Sequence, residues 1–186
     1  TFYGASSVAT ESKLFEGFAN RLLLQTIPRG TNGRALLSWS LPHTPSPGGV
    51  GAELWSTVIV VSSSGVAILN SPPQLALHIP LSGPYFARRD FRATPLDDGM
   101  SAIYAWSEHF NASSPAVSRI RTCIAGGLHL PSASAFTPCP NDGVVVYSVT
   151  GDSEPSVSLH AIAPQCNSNR SFVAFSPNTA DSRLYF

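Results

Sequence analysis

The pattern of apolar and polar positions predicts β-structure along most of the chain. The densest apolar run, Leu54–Val61, ends in four consecutive β-branched residues, which are restricted at χ1 in a helix and favour a strand. The run is also far shorter than the roughly 20 residues that span a bilayer. Ser62–Gly65 then predicts a turn, and Val66–Leu69 predicts a returning strand that ends before a double proline. We therefore expect a β-hairpin whose first strand is buried on both faces.

Similar short apolar runs recur between clusters of Pro, Gly and Ser, as strands and turns do. About ten short strands at this spacing predict an all-β fold, a compact antiparallel barrel or sandwich with long loops. Residues 11–25 are the exception, because their apolar positions approximate helical spacing and predict a short helix or 3₁₀ turn before the strand that begins at Leu22. In addition to the two strands of the hairpin, the predicted strands are Leu22–Ile27, Ala35–Leu41, Gln74–Leu81, Ser101–Trp106, Val117–Ile124, Val144–Val149, Val157–Ile162, Ser171–Phe175 and Arg183–Phe186. The residues predicted to be buried in the core are Val58, Val60, Leu75, Leu77, Ile79 and Val146.

Length and charge narrow the class of protein. A chain of 186 residues predicts one domain, spanning residues 1–186. Charged residues make up only 12% of it and the net charge is zero, so we expect no nucleic-acid binding through this domain. The sequence does not begin with Met, and its first residues do not have the pattern typical of a signal peptide. We therefore expect a fragment of a larger precursor.

The cysteines and sequons bear on the compartment. Cys123, Cys139 and Cys166 are an odd number and lie far apart, which predicts three free thiols rather than a disulfide framework. The absence of a C-x-x-C pair argues against zinc. Glycosylation sequons begin at Asn111 and Asn169, but such triplets are common by chance and leave secretion open.

Candidate chemistry is sparse. The five histidines are scattered singly, and no G-x-S-x-G elbow or phosphate loop occurs, so we expect no enzyme, no cofactor and no metal site. The Asp97-Asp98-Gly99 segment is more typical of a turn than of a calcium site. An enzyme is therefore the least favoured class.

Binding is the better-supported class, because aromatic residues adjoin charged segments that we interpret as turns. Aromatic rings beside Arg and Asp suit sugars or peptides, although core aromatics next to charged turns would give the same pattern. The candidate receptor-binding residues are Arg88, Arg89, Asp97, Asp98, Tyr104 and Trp106.

A weakly charged β domain with Pro/Ser/Gly-rich loops resembles the protruding domain of a small non-enveloped virus capsid. In length and strand density it is most similar in kind to astrovirus capsid spikes, avian ones among them, and the hepevirus spike is a relative in kind. The resemblance implies a homodimeric spike on the virion surface that meets a host receptor, glycan or protein, and antibodies. It also implies assembly in the host cytoplasm, with no membrane insertion. The alternative from another class is a secreted β-sandwich lectin or carbohydrate-binding module.

Overall fold

A computed structural model describes residues 21–28, 33–40, 52–61, 67–69, 74–79, 85–110, 116–129, 137, 139, 143–151, 157–165 and 170–177. Within these residues the chain forms strands and turns, and no helix. The all-β prediction is therefore confirmed for the described part. The strands are β1 (Arg21–Thr26), β2 (Arg34–Ser40), β3 (Ala52–Val61), β4 (Ala67–Leu69), β5 (Gln74–Ile79), β6 (Tyr85–Pro95), β7 (Ala102–Phe110), β8 (Ala116–Ala125), β9 (Val144–Gly151), β10 (Val157–Pro164) and β11 (Ser171–Pro177).

The described strands form three antiparallel sheets. The first sheet has the order β1-β2-β3-β4, with β5 also paired to β3. The second sheet has the order β6-β7-β8-β9, and β10 and β11 form a hairpin of their own. Neighbours in sequence pair with each other throughout the second sheet, as in a meander built from short-range hairpins. None of these sheets closes into a barrel.

Most of the predicted strands are present, some of them longer than expected. The β-hairpin predicted from the Leu54–Val61 run and the strand that follows it is confirmed, because β3 pairs antiparallel with β4. Strand β6 was not predicted, although its second half alternates apolar Phe91, Ala93 and Pro95 with polar Arg92 and Thr94. The short helix or 3₁₀ turn expected before Leu22 falls outside the described residues, apart from Arg21, and the strand expected from Leu22 is β1. The strand expected at 183–186 lies entirely outside them.

The largest apolar cluster lies between the first and second sheets. Alternate residues of β7 contribute side chains to it, including Ala102, Tyr104 and Trp106. The first sheet contributes buried aliphatic side chains from β2 and β3. This cluster is the main core because it joins residues from both sheets. Its members are Ile27, Leu36, Leu54, Val58, Phe91, Ala93, Ala102, Tyr104, Trp106, Cys123, Ala125, Leu128 and Cys139.

The second sheet is covered on its opposite face as well. Ala105 and Ile120 are fully buried there against Val157, Leu159 and Phe175 of the hairpin. Because successive residues of a strand point to opposite faces, Tyr104 and Ala105 serve different cores. The second sheet therefore lies between the first sheet and the hairpin.

A hydrogen bond also joins the β10–β11 hairpin to the second sheet. The Arg92 Nε atom donates a hydrogen bond to the His160 carbonyl oxygen at 2.8 Å. The β10–β11 register shifts between Leu159 and Ala161, so His160 lies at a β-bulge. Bulges re-aim backbone groups out of the regular ladder, and this one leaves the His160 carbonyl available to the arginine of β6.

The core prediction was partly wrong. Val58 is buried as expected, but Val60 is only half-buried, because β3 runs past the core toward its pairing with Ile68 of the short strand β4. Val146 is exposed, because β9 is the edge strand of the second sheet. The expected burial of β3 on both faces holds at Leu54, Ser56, Thr57 and Val58 but not along its whole length. The side chains of Leu75, Leu77 and Ile79 lie outside the described residues.

Three hydroxyl groups bridge the two large sheets inside the main core. Ser38 and Ser56 are direct cross-strand partners on β2 and β3, and their Oγ atoms are 2.8 Å apart. The Ser56 Oγ atom is also 2.7 Å from the hydroxyl oxygen of Tyr104 on β7. All three residues are buried, where an unpaired hydroxyl would be costly. The chain of hydrogen bonds therefore sets how the first sheet sits on the second.

Cys123 and Cys139 form a disulfide bond, with their Cα atoms 5.6 Å apart. The prediction of three free thiols is therefore wrong for this pair, and Cys166 lies outside the described residues. The reason is a fold-back after β8. Gly126 and Thr137 exchange two backbone hydrogen bonds, at 3.0 and 3.1 Å, and this bridge carries Cys139 back to the end of β8. Parity of the cysteine count contains no information about such a reversal.

Candidate binding surface

The turn between β6 and β7 is tightly built. One Asp98 carboxylate oxygen accepts hydrogen bonds from the backbone N–H groups of Met100, at 2.8 Å, and Ser101, at 3.0 Å. Gly99 has a φ of 67°, which glycine adopts without steric cost. The Leu96 N–H donates to the Ser101 carbonyl at 2.8 Å and closes the turn. The interpretation of the Asp97-Asp98-Gly99 segment as a turn is confirmed.

The same turn is anchored to the segment that follows β8. The Leu128 N–H donates to the Met100 carbonyl oxygen at 2.9 Å, and the Leu128 side chain is fully buried in the main core. Gly127, with a φ of 86°, allows the chain to turn there. Two separate segments are thus held together at one end of the second sheet.

Apolar side chains are exposed at this end. Met100 and Ile124 each leave about half of their surface open to solvent. Ile124 pairs with Ile103 across the β7–β8 ladder, one rung from the end of the sheet that carries the turn. We call Asp97, Asp98, Met100 and Ile124 the turn-end surface. It combines two carboxylates and two exposed aliphatic side chains at one end of the second sheet, on a hydrogen-bonded scaffold.

The two predicted aromatic platforms are not on the surface. Tyr104 and Trp106 are almost completely buried and lie in strand β7, not in a loop. Each polar tip has a partner, as buried Tyr and Trp generally require. The Tyr104 hydroxyl is hydrogen-bonded to that of Ser56, and the Trp106 Nε1 atom donates a hydrogen bond to the Glu108 carboxylate at 3.0 Å. Neither ring face is available to a ligand in this structure, which corrects the sequence-based expectation for these two residues.

Burial also changes the acidity of Tyr104. Removal from water raises its pKa from 10.0 to about 12, against the opposing effect of the hydrogen bonds from Ser56 and Ser38. The phenol is therefore neutral across the physiological range. It works as a hydrogen-bonding group in the core and has no exposed route to a substrate.

The arginine pair lies apart from the acidic turn. Arg88 and Arg89 belong to strand β6, not to a turn, and fall where the β6–β7 register shifts between Ala87 and Phe91. From Arg89 to Asp97 an extended chain covers roughly 20 Å or more. The six predicted residues therefore do not form one site. Asp97 and Asp98 are half-buried, and receptor binding by either segment stays a prediction.

A partly buried ion pair beside Trp106 was not anticipated. The Arg121 Nε atom donates to the second Glu108 carboxylate oxygen at 2.8 Å. Glu108 thus receives hydrogen bonds from both Trp106 and Arg121, which lie opposite each other in the β7–β8 register. The alternate spacing of Trp106 and Glu108 along one strand was the available sequence signal, since it places both on one face.

Comparisons with known proteins found no relative of this chain. A search of protein-family models found no match, and searches of curated proteins and of solved structures found none. Within the described ranges, no group of three or more His, Cys, Asp or Glu residues is placed to hold a metal ion. The described residues also contain no helix that is long and apolar enough to cross a membrane.

Proposed function

We propose that this chain is an outward-facing attachment domain, the spike of a non-enveloped virus capsid, which binds a host receptor and carries antibody epitopes. The observation that carries the proposal is the turn-end surface, where half-exposed Met100 follows the acidic Asp97-Asp98 turn and half-exposed Ile124 lies at the same end of the second sheet. As part of the same proposal, the stacked sheets form a compact sandwich and the domain is a homodimer on the virion surface.

The build of the turn-end surface suits recognition. Hydrogen bonds accepted by the Asp98 carboxylate and donated by the Leu128 N–H group fix the turn before any partner arrives. A contact surface that is already ordered loses less conformational entropy on binding, and its affinity rises accordingly. Loops on a rigid β scaffold are where such domains place their binding residues.

The chemistry of the turn-end surface favours a protein receptor over a glycan. Sugars are commonly bound against exposed aromatic rings, and the nearby Tyr104 and Trp106 are buried. The two carboxylates would repel an acidic sugar such as a sialic acid. A receptor segment with aliphatic side chains and a Lys or Arg would instead match both the apolar and the acidic parts of the surface.

One observation favours the second candidate, a secreted lectin or carbohydrate-binding module. A disulfide between Cys123 and Cys139 is typical of oxidising compartments and rare in the cytosol. Assembly in the host cytoplasm, which the resemblance implies, fitted three unpaired cysteines and loses that support. The mass of the protein from its natural source, before and after enzymatic deglycosylation, separates the two candidates. Glycan at Asn111 or Asn169 would support the secreted module.

Cell binding tests the main proposal directly. The variant Met100→Asp/Ile124→Asp should keep the fold, since both side chains are half-exposed, and should weaken attachment of the labelled domain to host cells at least tenfold. The matched control is Phe172→Asp, an equally exposed apolar residue on the hairpin strand β11. Unchanged attachment by the folded double variant, or equal loss in the control, would contradict a receptor contact at the turn-end surface.

A further inference from the structure

We propose that β9 is the edge through which two copies of the chain pair, antiparallel and about a two-fold axis, so that the second sheet continues from one copy into the other. This inference names the dimer contact of the proposed spike and rests on that proposed function for its setting. The physical argument depends only on β9 and its neighbours.

Strand β9 ends the second sheet. It pairs with β8 on one side, and no described strand pairs with its other side. The backbone N–H and C=O groups along a sheet edge form a template for another strand. An edge of this kind is the element of a β domain most ready to associate.

The side chains of β9 do not protect that edge. Val144, Val145 and Val146 expose 66%, 41% and 49% of their surface. Because neighbouring residues point to opposite faces, the first part of the edge is apolar on both sides. In the second part Tyr147 and Val149 pack against the β10–β11 hairpin, and the residues between and after them are polar. The strand VVVYSVTG contains no charged residue and no proline, the residues by which monomeric proteins usually block edge pairing. The β8–β9 register shift falls at Val146, and pairing is regular from Tyr147 to Gly151.

The first sheet has an exposed edge that serves as a comparison. Strand β1 exposes Leu22 and Leu24, but it begins with Arg21 and continues with exposed Gln25. Between its two exposed leucines, Leu23 turns inward against the main core. Strand β1 is thus a half-buried strand with a polar end, whereas the first three residues of β9 expose apolar side chains on both faces.

A second copy is the partner that fits this edge. Antiparallel pairing about a two-fold axis uses the same strand from each copy and satisfies both edges at once, which closes the assembly at two. Neither β9 nor the chain as a whole carries net charge, so copies do not repel each other. Eight residues extend only about 27 Å, and a stable dimer buries about 800 Å² per partner. We therefore expect a dimer of micromolar affinity.

Sedimentation of the full chain over a range from low micromolar to near-millimolar concentration tests the pairing. The variant Val144→Lys/Val146→Lys should raise the dimer dissociation constant by about tenfold or more, because lysines on an edge strand oppose its pairing with another strand. Leu22→Lys/Leu24→Lys on β1 is the matched control and should leave the dissociation constant unchanged. Circular dichroism and the thermal midpoint should show that both variants remain folded.

Three results would overturn the pairing: a single-chain mass at every concentration, a dimer that the β9 lysines leave intact, and a dimer that the β1 lysines disrupt equally. Growth into larger oligomers would also contradict a two-fold contact. These outcomes are independent of the attachment assay. A monomer that still binds cells through the turn-end surface would refute β9 pairing alone, and a β9 dimer without cell binding would refute the attachment function alone.

Discussion

Opening the disulfide between Cys123 and Cys139 should destabilise the domain by about 3 kcal/mol. The bond joins residues 16 positions apart, and closing a loop of that length in the unfolded chain removes entropy equivalent to about 3 kcal/mol at 25 °C. For a domain of this size, 1 kcal/mol corresponds to roughly 2–4 °C in Tm. Reduction should therefore lower Tm by about 6–12 °C.

Thermal unfolding of the protein with its disulfide intact, and again after the disulfide has been reduced, measures this difference in Tm. The variant Cys123→Ala/Cys139→Ala is the control, since its stability should be the same in both conditions and close to that of the reduced protein. Both sulfurs are buried, so the variant also loses some packing and should be slightly less stable than the reduced protein.

Thiol counting gives the sharper refutation. Denatured but unreduced protein should react with a thiol reagent at one of its three cysteines. Three reactive thiols would show that the pair is open in solution. The loop-entropy calculation would then not apply, and the support for an oxidising compartment would disappear with it.

Other predictions concern the core. Gly143→Ala should cost about 1–3 kcal/mol in denaturant unfolding, since Gly143 has a φ of +49° and an added Cβ would lie 2.5 Å from a Trp106 ring carbon. Gly126→Ala, whose Cβ would meet nothing closer than 3.9 Å, should cost much less, and equal losses would contradict the steric argument. Tyr104→Phe should cost about 1–2 kcal/mol, and less in a Ser56→Ala background; an unchanged cost there would show that the two hydroxyls are not coupled. Because burial raises the pKa of Tyr104 to about 12, its stabilising contribution is complete below pH 10, where the unfolded phenol is still neutral, and is lost as pH rises from 10 to 12. Tyr104→Phe should lack this alkaline loss, and parallel pH profiles for both proteins would refute it.

Local sequence was sufficient for most of the described strands, with β6 as the exception, because strand formation follows a short-range pattern. The β-branched run in β3 and the alternation in later strands place one side chain after another on opposite faces. The acidic Asp97-Asp98-Gly99 turn is equally local, since its hydrogen bonds span two and three residues. These features need no knowledge of distant parts of the chain.

Which residues became surface was decided only by tertiary packing. Tyr104 and Trp106 adjoin polar residues in sequence, yet the second sheet turns that face of β7 against the first sheet and buries both rings. Val146 has the same apolar character as Val58, but β9 is an edge strand and β3 a central one. Strand order depends on how whole hairpins associate, and no single strand's sequence records its neighbours.

The disulfide gives the clearest separation between the two kinds of information. The sequence determines that three thiols are present, and their number alone favoured free cysteines. The reversal through Gly127 and the bridge from Gly126 to Thr137 bring Cys139 back to Cys123. A disulfide bond requires the Cα atoms of its two cysteines to lie within about 7 Å of each other. This condition depends on the path of the chain in space and not on the spacing of cysteines along it.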